Sequence, residues 1–471
     1  MGGSAASGVD VVPLDTAGLG DRSYLAHDGT VAFVVDPQRD IDRVLALAGQ
    51  LGVRVTHVFE THMHNDYVTG GLALARVTGA AYLVSAADEV AFDRTGLRDG
   101  DVVEVGGLMR VRALATPGHT FTHLSYALQQ GEQPVAVFTG GSLLYGSTGR
   151  PDLLGADHAR TLAHAQFASA RRLAAELPDE AAVYPTHGFG SFCAAGHTEG
   201  TSSTIGRERL VNPVLTASEE QYVADLLAGL DAYPAYYAHM APANAAGPGG
   251  PDLTPPRRAD PSELRRRIEA GEWVVDLRNR TAFAAGHVPG TLNFSLADGI
   301  ATYLGWLIPW GMPLTLLGES PEDVATAQRE LTRIGIDRPA AAAMGQPLEW
   351  SGGQPLRSFP VKGYADLAAA RRLAAAEHRG LVVVDVRLAH EHAESHVDGA
   401  LHIPVYDIQA RLGDIPDGDV WVHCASGHRA GIAASILDAA GRTVTAVDDS
   451  YDHAGEAGLP LAASTPQPLD A

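Results

Sequence analysis

The sequence contains few cysteines and no long apolar run, and these absences exclude several classes of protein. Only two cysteines occur among 471 residues, so no framework of disulfide bonds is expected and a reducing compartment is favoured. No apolar stretch reaches the roughly 20 residues that cross a bilayer. The opening residues MGGSAASGVD lack the basic and apolar segments of a secretory signal. The sequence therefore predicts a cytoplasmic protein without a membrane span.

The sequence also contains fewer basic residues than acidic ones. There are 34 Lys and Arg against 56 Asp and Glu, for a net charge of −22. This excess of negative charge repels phosphate backbones, so nucleic acid is not an expected partner. The expected partners are small molecules, and a homo-oligomer is compatible with the sequence. The chain is too long for one ordinary core, which predicts two to four domains.

A segment rich in Pro and Gly separates two parts of the chain that differ in pattern. The stretch AAGPGGPDLTPPRR can propagate neither a helix nor a sheet and predicts a linker. Beyond it, VVDLRNRTAFAAGHVPGTLN and VVDVRLAHEHAESHVDGALH share Asp-x-Arg and His-Val-x-Gly at a constant offset of 109 residues (276 to 385). We therefore predict a first domain over 1–245, a linker over 246–258, and two copies of one module over 259–356 and 357–471.

Both parts predict α/β structure. In each copy of the module, apolar strands alternate with helical stretches, which predicts a parallel sheet. Before the linker, VAFVVDP and VTHVFETH are short apolar runs, and DIDRVLALAGQLG between them predicts an amphipathic helix that ends at a glycine.

Histidines follow predicted strand ends at three places in the first domain. THMHNDY places His62, His64 and Asp66 directly after an apolar run, TPGH places His119, and VYPTHG places His187. In layered α/β folds, side chains from distant parts of the sequence meet at such strand ends. The pattern favours a metal site over isolated structural histidines. A degenerate, empty site is the alternative.

A second candidate site lies near the end of the chain, in VWVHCASGHRAGIAAS. The pattern predicts a strand, a cysteine at its end, a tight loop, and then a helix. Backbone N–H groups of such a loop bind anions and lower the pKa of a thiol, as a nearby Arg also does. A buried structural cysteine is the alternative, but it does not predict Gly and Arg in the following loop. The candidate residues are Cys424, Ala425, Ser426, Gly427, His428 and Arg429.

The motifs THMHNDYVTGG, TPGHTFTHLSY, FTGGSLLYGSTGRPDLL and YPTHGFGSFC resemble the metallo-β-lactamase superfamily. More narrowly, they resemble its persulfide dioxygenase branch, of which glyoxalase II is a neighbour. The resemblance covers the chain before the linker and implies an αββα sandwich. It also implies one iron bound by His62, His119 and an acid at position 141, a face of two histidines and one carboxylate.

This chain departs from that pattern at two positions. It has Tyr67 where the superfamily motif ends in His, and Gly141 where the branch has the acid. His64 can complete a three-histidine site suited to Zn(II) and compatible with Fe(II), or Asp66 can supply the missing oxygen. If the acid alone is missing, Gly141→Asp should raise iron occupancy.

Three further residues belong to the motifs around the predicted metal site. His187 and Tyr67 are candidates for contacts around the ligands or with the substrate. Cys193 follows His187 closely in the sequence. It is either a buried structural residue or a redox-sensing or sulfur-relaying thiol.

Asp385, Arg387, HVDGA and CASGHR resemble the rhodanese family of sulfurtransferases, and the resemblance covers both modules. It implies that Cys424 accepts sulfane sulfur as a persulfide, and that the loop holds a thiosulfate or sulfite anion. The first module has no cysteine, because MPLTLLGES replaces the reactive loop. Its expected role is to pack between the other domains or to shape a channel.

The predicted architecture is thus an αββα sandwich followed by two rhodanese-like domains with parallel sheets, the second with the active cysteine. This order resembles bacterial fusion proteins of sulfide detoxification. It implies that a low-molecular-weight thiol persulfide is oxidised by O2 to sulfite at one iron, and that Cys424 transfers sulfane sulfur to give thiosulfate. The alternatives are a zinc-dependent thioester hydrolase fused to a sulfurtransferase, and a metal-free sulfur carrier. No motif specifies the thiol carrier.

Overall fold

The structure is a computed structural model that describes residues 8–196 and 200–464. The opening residues 1–7, which fall in the segment without a predicted secretory signal, lie outside the described residues. Residues 197–199 and 465–471, the latter at the end of the last predicted domain, also lie outside them.

The described chain divides into two compact units. The first contains residues up to Asp252 and the short segment Thr332–Gly335, and the second contains the remainder from Leu253. The division at Asp252 falls inside the predicted linker, while the predicted domain boundaries themselves stay predictions. In the described part of the chain, the helices are too short or too polar to cross a bilayer.

Two six-stranded sheets form the centre of the first unit. The first sheet has the strand order β1-β2-β3-β4-β5-β6, with β1 to β3 antiparallel and β3 to β6 parallel. Its strands are β1 (Asp10–Thr16), β2 (Asp21–His27), β3 (Val31–Val35), β4 (Arg54–Phe59), β5 (Ala81–Ser85) and β6 (Thr95–Leu97). The second sheet has the order β12-β11-β10-β9-β8-β7. Its strands are β7 (Val102–Val105), β8 (Met109–Ala115), β9 (Leu124–Gln130), β10 (Gln133–Gly140), β11 (Ala182–Pro185) and β12 (Ser203–Thr204).

Apolar side chains between the two sheets form the main core of this unit. Phe33 meets Phe59 and Phe138 edge to face, with ring centroids 5.5 and 5.6 Å apart, an arrangement that aromatic pairs prefer. Helices cover the outer face of each sheet, which confirms the predicted αββα sandwich. They are α1 (Asp42–Leu51), α2 (Gly71–Thr78), α3 (Ala156–Glu176), α4 (Ile205–Val211), α5 (Pro213–Thr216), α6 (Glu219–Ala228) and α7 (Tyr237–Ala246).

The second unit contains two parallel sheets, as predicted. The first sheet has the order β14-β13-β15-β16. Its module comprises α8 (Pro261–Glu269), β13 (Trp273–Asp276), α9 (Arg280–Ala285), β14 (Leu292–Asn293), α10 (Ile300–Leu307), β15 (Leu314–Gly318), α11 (Pro321–Arg333), β16 (Ala341–Met344) and α12 (Pro347–Trp350). The strand β13 lies at the centre of this sheet and is fully buried, which explains its continuous apolar run.

The second sheet has the order β17-β22-β21-β18-β20, and β19 and β23 form a small antiparallel pair. Its module comprises β17 (Val361–Lys362), α13 (Tyr364–Glu377), β18 (Leu381–Asp385), α14 (Ala389–Glu394), β19 (His396–Val397), β20 (Leu401–His402), β21 (Asp419–His423), α15 (His428–Ala439), β22 (Val444–Val447), α16 (His453–Glu456) and β23 (Leu461–Ala462). Short 3₁₀ turns occur in the two modules at Leu296–Asp298, Val405–Asp407 and Leu412–Asp414.

The repeated Asp-x-Arg motif has the same geometry in both modules. Arg278 donates from Nη2 to Asp276 Oδ2 at 2.6 Å, and Arg387 makes the same bond to Asp385 at 2.6 Å. Each Arg also donates to a backbone carbonyl eight residues further on. These buried, charge-assisted bonds fix the turn that follows the first central strand of each sheet.

Candidate metal centre and sulfur-transfer loop

Four histidines from both sheets of the first unit meet in one buried cluster. His62 and His64 follow β4, His119 follows β8, and His187 follows β11, and each is at most 1% exposed. The ring centroid of His62 lies 4.1 Å from that of His64, 4.8 Å from that of His119 and 5.3 Å from that of His187. The structure therefore brings together all four histidines that the sequence placed at strand ends.

Hydrogen bonds orient two of these rings so that a nitrogen lone pair faces the cluster. His119 Nδ1 donates to the carbonyl of Arg150 at 2.8 Å, which leaves Nε2 buried and without a hydrogen-bond partner among the described residues. His187 Nδ1 contacts Asp21 at 2.9 Å and Asp66 at 3.1 Å, and its Nε2 lies 3.4 Å from His62 Nε2. Nitrogen lone pairs that converge in a buried space fit a divalent cation, which prefers such donors.

His64 differs from the other three because acidic residues surround it. Its Nε2 lies 3.2 Å from Asp36 and 3.4 Å from Glu60, and 3.0 Å from the hydroxyl of Tyr67. Burial lowers the pKa of His64, but Asp36 and Glu60 outweigh that effect and raise it to about 9. Its other nitrogen, Nδ1, is buried and has no hydrogen-bond partner among the described residues. Tyr67 thus holds His64 in place, with its ring stacked on the imidazole at 4.3 Å.

Asp66 lies on the far side of the His187 ring. Its Oδ2 accepts from His187 Nδ1, and its Oδ1 lies 4.0 Å from His64 Nδ1. Burial raises the pKa of Asp66, but the charge and hydrogen bond of His187, with the charge of His64, together lower it. Burial lowers the pKa of His187, but Asp66 and Asp21 together raise it to about 10. Asp66 therefore orients His187 in this geometry, and metal ligation by Asp66 stays a prediction.

Gly141 and Gly149 enclose the ring of His119. A Cβ built on Gly141 would lie 2.5 Å from His119 Cγ and 2.9 Å from its Nε2, and a Cβ built on Gly149 would lie 2.7 Å from its Nδ1. Carbon atoms pack at about 3.5–4.0 Å. The imidazole thus fills the space that an acidic side chain at position 141 would need. This geometry argues against the expectation that Gly141→Asp restores the missing ligand.

The sequence did not predict His123 or the acids that orient the candidate ligands. His123 Nε2 accepts the N–H of Gly141 at 3.1 Å, and its ring stacks 5.1 Å from that of His62. Asp36 accepts from the backbone N–H and the hydroxyl of Thr61, both at 2.7 Å. His123 occurs within the quoted TPGHTFTHLSY, but its position inside the motif gave no spacing signal.

Cys193 is fully buried beside the histidines. Donor atoms of His119, His187 and Cys193 all lie within 4.8 Å of one another. Burial, and then the negative charge of Asp66, raise the pKa of the Cys193 thiol well above its usual range.

The loop after β21 places backbone N–H groups around Cys424. Its Sγ accepts from Gly427 N–H at 3.1 Å and from Ala430 N–H at 3.4 Å, at the start of α15. Gly427 has φ of +93°, which favours glycine. The charge of Arg429 is compensated, because its guanidinium contacts Glu391 at 2.5 and 2.8 Å. The loop has the predicted form, and the roles of its residues stay predictions.

The cysteine-free module contacts this loop. Arg280 donates to Asp448 Oδ1 at 2.9 and 3.0 Å, and the ring of Tyr303 meets that of His428 edge to face at 5.1 Å. Arg280 and Tyr303 lie far from Cys424 in the sequence, and no motif singled them out. Tyr303 therefore covers one side of the loop that contains Cys424.

The equivalent position in the first module cannot form a persulfide. Asp276 pairs with Leu317 as Asp385 pairs with His423, so Gly318 stands where the second module has Cys424. A side chain of the protein also caps the start of the helix that follows, because Ser320 N–H donates to the Asp323 carboxylate at 2.9 Å. That carboxylate occupies N–H donors of the kind that surround the sulfur in the second module.

Comparisons with known proteins agree with this architecture. The metallo-beta-lactamase superfamily model matches residues 18–187, and the rhodanese-like domain model matches residues 369–455. Human mitochondrial persulfide dioxygenase ETHE1 is 31% identical over 207 residues, which cover 44% of this chain and 72% of that protein. A hydroxyacylglutathione hydrolase from Polaromonas sp. (strain JS666 / ATCC BAA-500) is 33% identical over 160 residues, which cover 34% of this chain and 57% of that protein.

A solved structure extends the comparison. The crystal structure of a metallo-beta-lactamase from Staphylococcus aureus subsp. aureus COL matches with a TM-score of 0.64 and 26% identity, and covers 72% of this chain and 99% of that chain. The matches support an enzyme of sulfur metabolism. The chain therefore belongs to the metallo-β-lactamase superfamily, with homologues of persulfide dioxygenase ETHE1 matching its first domain and a rhodanese-like domain near its C-terminal end.

Proposed function

We propose that this protein is a sulfur-transfer enzyme in which Cys424 carries sulfane sulfur as a persulfide. The observation that supports this most directly is the pair of N–H donors, from Gly427 and Ala430, that point at Cys424 Sγ. Donors at a helix N-terminus stabilise negative charge on the sulfur, both as the thiolate and as the persulfide anion. The rhodanese-like match over residues 369–455 includes this loop.

The proposed transfer proceeds in two steps without net oxidation. The Cys424 thiolate attacks the sulfane sulfur of thiosulfate or of a thiol persulfide. A new S–S bond forms, the donor S–S bond breaks, and sulfite or thiolate leaves with the electron pair. An acceptor such as sulfite or cyanide then takes the outer sulfur, and the Cys424 thiolate returns.

For the first domain we propose oxidation of a low-molecular-weight thiol persulfide. One persulfide, one O2 and one water would give thiol, sulfite and two protons, and the sulfite is then an acceptor for Cys424. The histidines His62, His119 and His187 would hold Fe(II), which activates O2 when bound. The Arg150 carbonyl and Asp21 hold two of these rings in the orientation that binding requires.

A zinc-dependent thioester hydrolase is a second candidate for the first domain. It is favoured by the match to hydroxyacylglutathione hydrolase and by the absence of a carboxylate at position 141, since a three-histidine set suits Zn(II). A metal-free sulfur carrier is the third. For all three candidates we propose a reducing, cytoplasmic location, in keeping with two free cysteines.

The first experiment tests Cys424 by sulfur transfer. Wild-type protein incubated with thiosulfate should gain the mass of one sulfur atom on the peptide that contains Cys424, and should convert cyanide to thiocyanate. Cys424→Ser should lose both properties while keeping its circular dichroism spectrum. Full activity in Cys424→Ser contradicts the assignment.

The second experiment separates the candidates for the first domain. Iron-loaded protein should consume O2 with glutathione persulfide, and His119→Ala should not. His158→Ala, which changes an exposed histidine on α3, is the matched control and should keep the activity. The hydrolase is favoured if the zinc-loaded protein hydrolyses S-lactoylglutathione and the iron-loaded protein takes up no O2. If the metal-loaded protein has neither activity, the sulfur carrier is the remaining candidate.

A further inference from the structure

Cys193 lies among the histidine donors of the first unit. Its Sγ and one nitrogen each of His119 and His187 are mutually within 4.8 Å, and all three residues are buried. Ligand atoms around one cation are separated by distances of this order, because each lies about 2.0–2.3 Å from the ion. The sulfur is therefore close enough to share an ion with the two rings.

The backbone around Cys193 is held on both sides. The carbonyl of Cys193 accepts the Arg150 N–H at 2.8 Å, and its N–H donates to Ser191 Oγ at 3.2 Å. The carbonyl of Arg150 in turn accepts from His119 Nδ1. Arg150 thus links the backbone that carries the sulfur to the ring that faces it, which is the rigid support that a ligand set needs.

His119 and His187 each have one ring nitrogen that no oxygen atom of the described residues engages. His119 Nε2 is buried and has no hydrogen-bond partner in residues 8–196 and 200–464. His187 Nε2 is the nitrogen left after Nδ1 contacts Asp21 and Asp66. An orphaned buried nitrogen costs free energy unless a partner satisfies it. A cation between these atoms would satisfy it.

An anionic ligand would stabilise a buried divalent cation further, because neutral imidazoles leave both positive charges uncompensated. Position 141 cannot supply one, since the His119 ring fills the space beside Gly141. The carboxylate of Asp66 is engaged by His187 Nδ1 at 3.1 Å. The Cys193 sulfur lies within 4.8 Å of one nitrogen of each ring and becomes an anionic ligand when it loses its proton.

We propose that Cys193, as a thiolate, ligates a divalent cation together with His119 and His187, and so replaces the carboxylate that position 141 lacks. The cation class is Fe(II) or Zn(II), because thiolate and imidazole together suit borderline-soft metals. The thiol proton leaves to solvent as the sulfur–metal bond forms. The inference rests on the proposed metal centre and names its anionic ligand.

Cobalt spectroscopy tests the sulfur bond directly. Co(II) added to metal-free wild type should bind at one equivalent and give thiolate-to-cobalt charge-transfer absorption in the near ultraviolet. Cys424→Ser, the matched control in a chain with only two cysteines, should keep that absorption. Cys193→Ser should lose it and bind Co(II) at least tenfold more weakly.

X-ray absorption provides a test that does not depend on the Cys193 variant folding. Zinc-loaded Cys424→Ser has Cys193 as its single thiol, and its zinc edge should show one sulfur neighbour at about 2.3 Å. A shell of nitrogen and oxygen alone, or unchanged cobalt absorption in Cys193→Ser, overturns the inference while leaving the metal centre intact. Failure of the wild type to bind either ion overturns the metal centre as well.

Discussion

Gly141→Ala is the sharpest test of how the first domain holds His119. The substitution adds one methyl group that would lie 2.5 Å from His119 Cγ. Since carbon atoms pack at about 3.5–4.0 Å, the ring has to move by about 1 Å or the backbone has to yield. The backbone of Gly149 also packs closely against this ring, since a Cβ built there would lie 2.7 Å from His119 Nδ1, and this leaves little room for the ring to move.

The expected effects follow from that displacement. Overpacking of a core by one methyl group costs about 1–3 kcal/mol, so the free energy of unfolding of the first unit should fall by that amount. Metal–ligand distances tolerate changes of only about 0.2 Å, so a shift of about 1 Å should weaken metal binding at least tenfold. Gly141→Asp, with a larger side chain, should lower metal occupancy further.

The assay combines urea unfolding with metal titration of the same preparations. Gly49→Ala is the matched control, because this glycine lies in α1 with no atom within 4 Å of the added methyl group. It should raise stability by about 0.5–1 kcal/mol through helix propensity and leave metal affinity unchanged. If Gly141→Ala binds metal as tightly as wild type, or Gly141→Asp binds it more tightly, the ring does not occupy that space and the reasoning fails.

Further outcomes are expected at the sulfur-transfer loop and at the metal centre. Arg280→Ala leaves Asp448 unpaired near Cys424, so kcat/KM for thiosulfate should fall about tenfold, equivalent to about 1.4 kcal/mol. The control variant Arg265→Ala, at an exposed position, should not change kcat/KM. If Arg280→Ala and wild type have equal kcat/KM, this role of Arg280 is refuted. Burial lowers the pKa of His423 to about 4, below its unfolded value of about 6.5, so the unfolded chain takes up the proton first and stability is lost as pH falls from 6.5 to 4. The free energy of unfolding of the second unit should therefore be about 2 kcal/mol lower at pH 5 than at pH 7. His423→Gln removes this loss, and the control His378→Asn, at an exposed position, retains it. An equal loss in His423→Gln contradicts the assignment. Removing the cation with a chelator should lower the thermal midpoint of the first unit, and free metal at 100 times Kd should restore about 2.7 kcal/mol; an unchanged midpoint argues against a site in the folded state.

The sequence by itself determined the elements and motifs that depend on residues close together in the chain. The recurrence of Asp-x-Arg and His-Val-x-Gly at an offset of 109 residues predicted repeated modules. The Asp-x-Arg motif is local, since Arg278 bonds back to Asp276 two residues earlier. The glycine after DIDRVLALAGQL predicted the end of α1, and Gly52 has φ of +68° there. The strand, cysteine and glycine order predicted the loop around Cys424, since a strand, a tight turn and a helix N-terminus lie within one short segment.

Only the tertiary structure decided which side chains meet at the metal centre and in what roles. The sequence indicated that Gly141 replaces a lost acidic ligand. The structure shows that the ring of His119, which lies 22 residues earlier in the sequence, fills the space beside Gly141. The contact of His187 with Asp21 spans 166 residues, and that of Arg280 with Asp448 spans 168. Such contacts depend on how sheets and helices pack and on the volume left between them, and a local pattern of residues contains no measure of that volume.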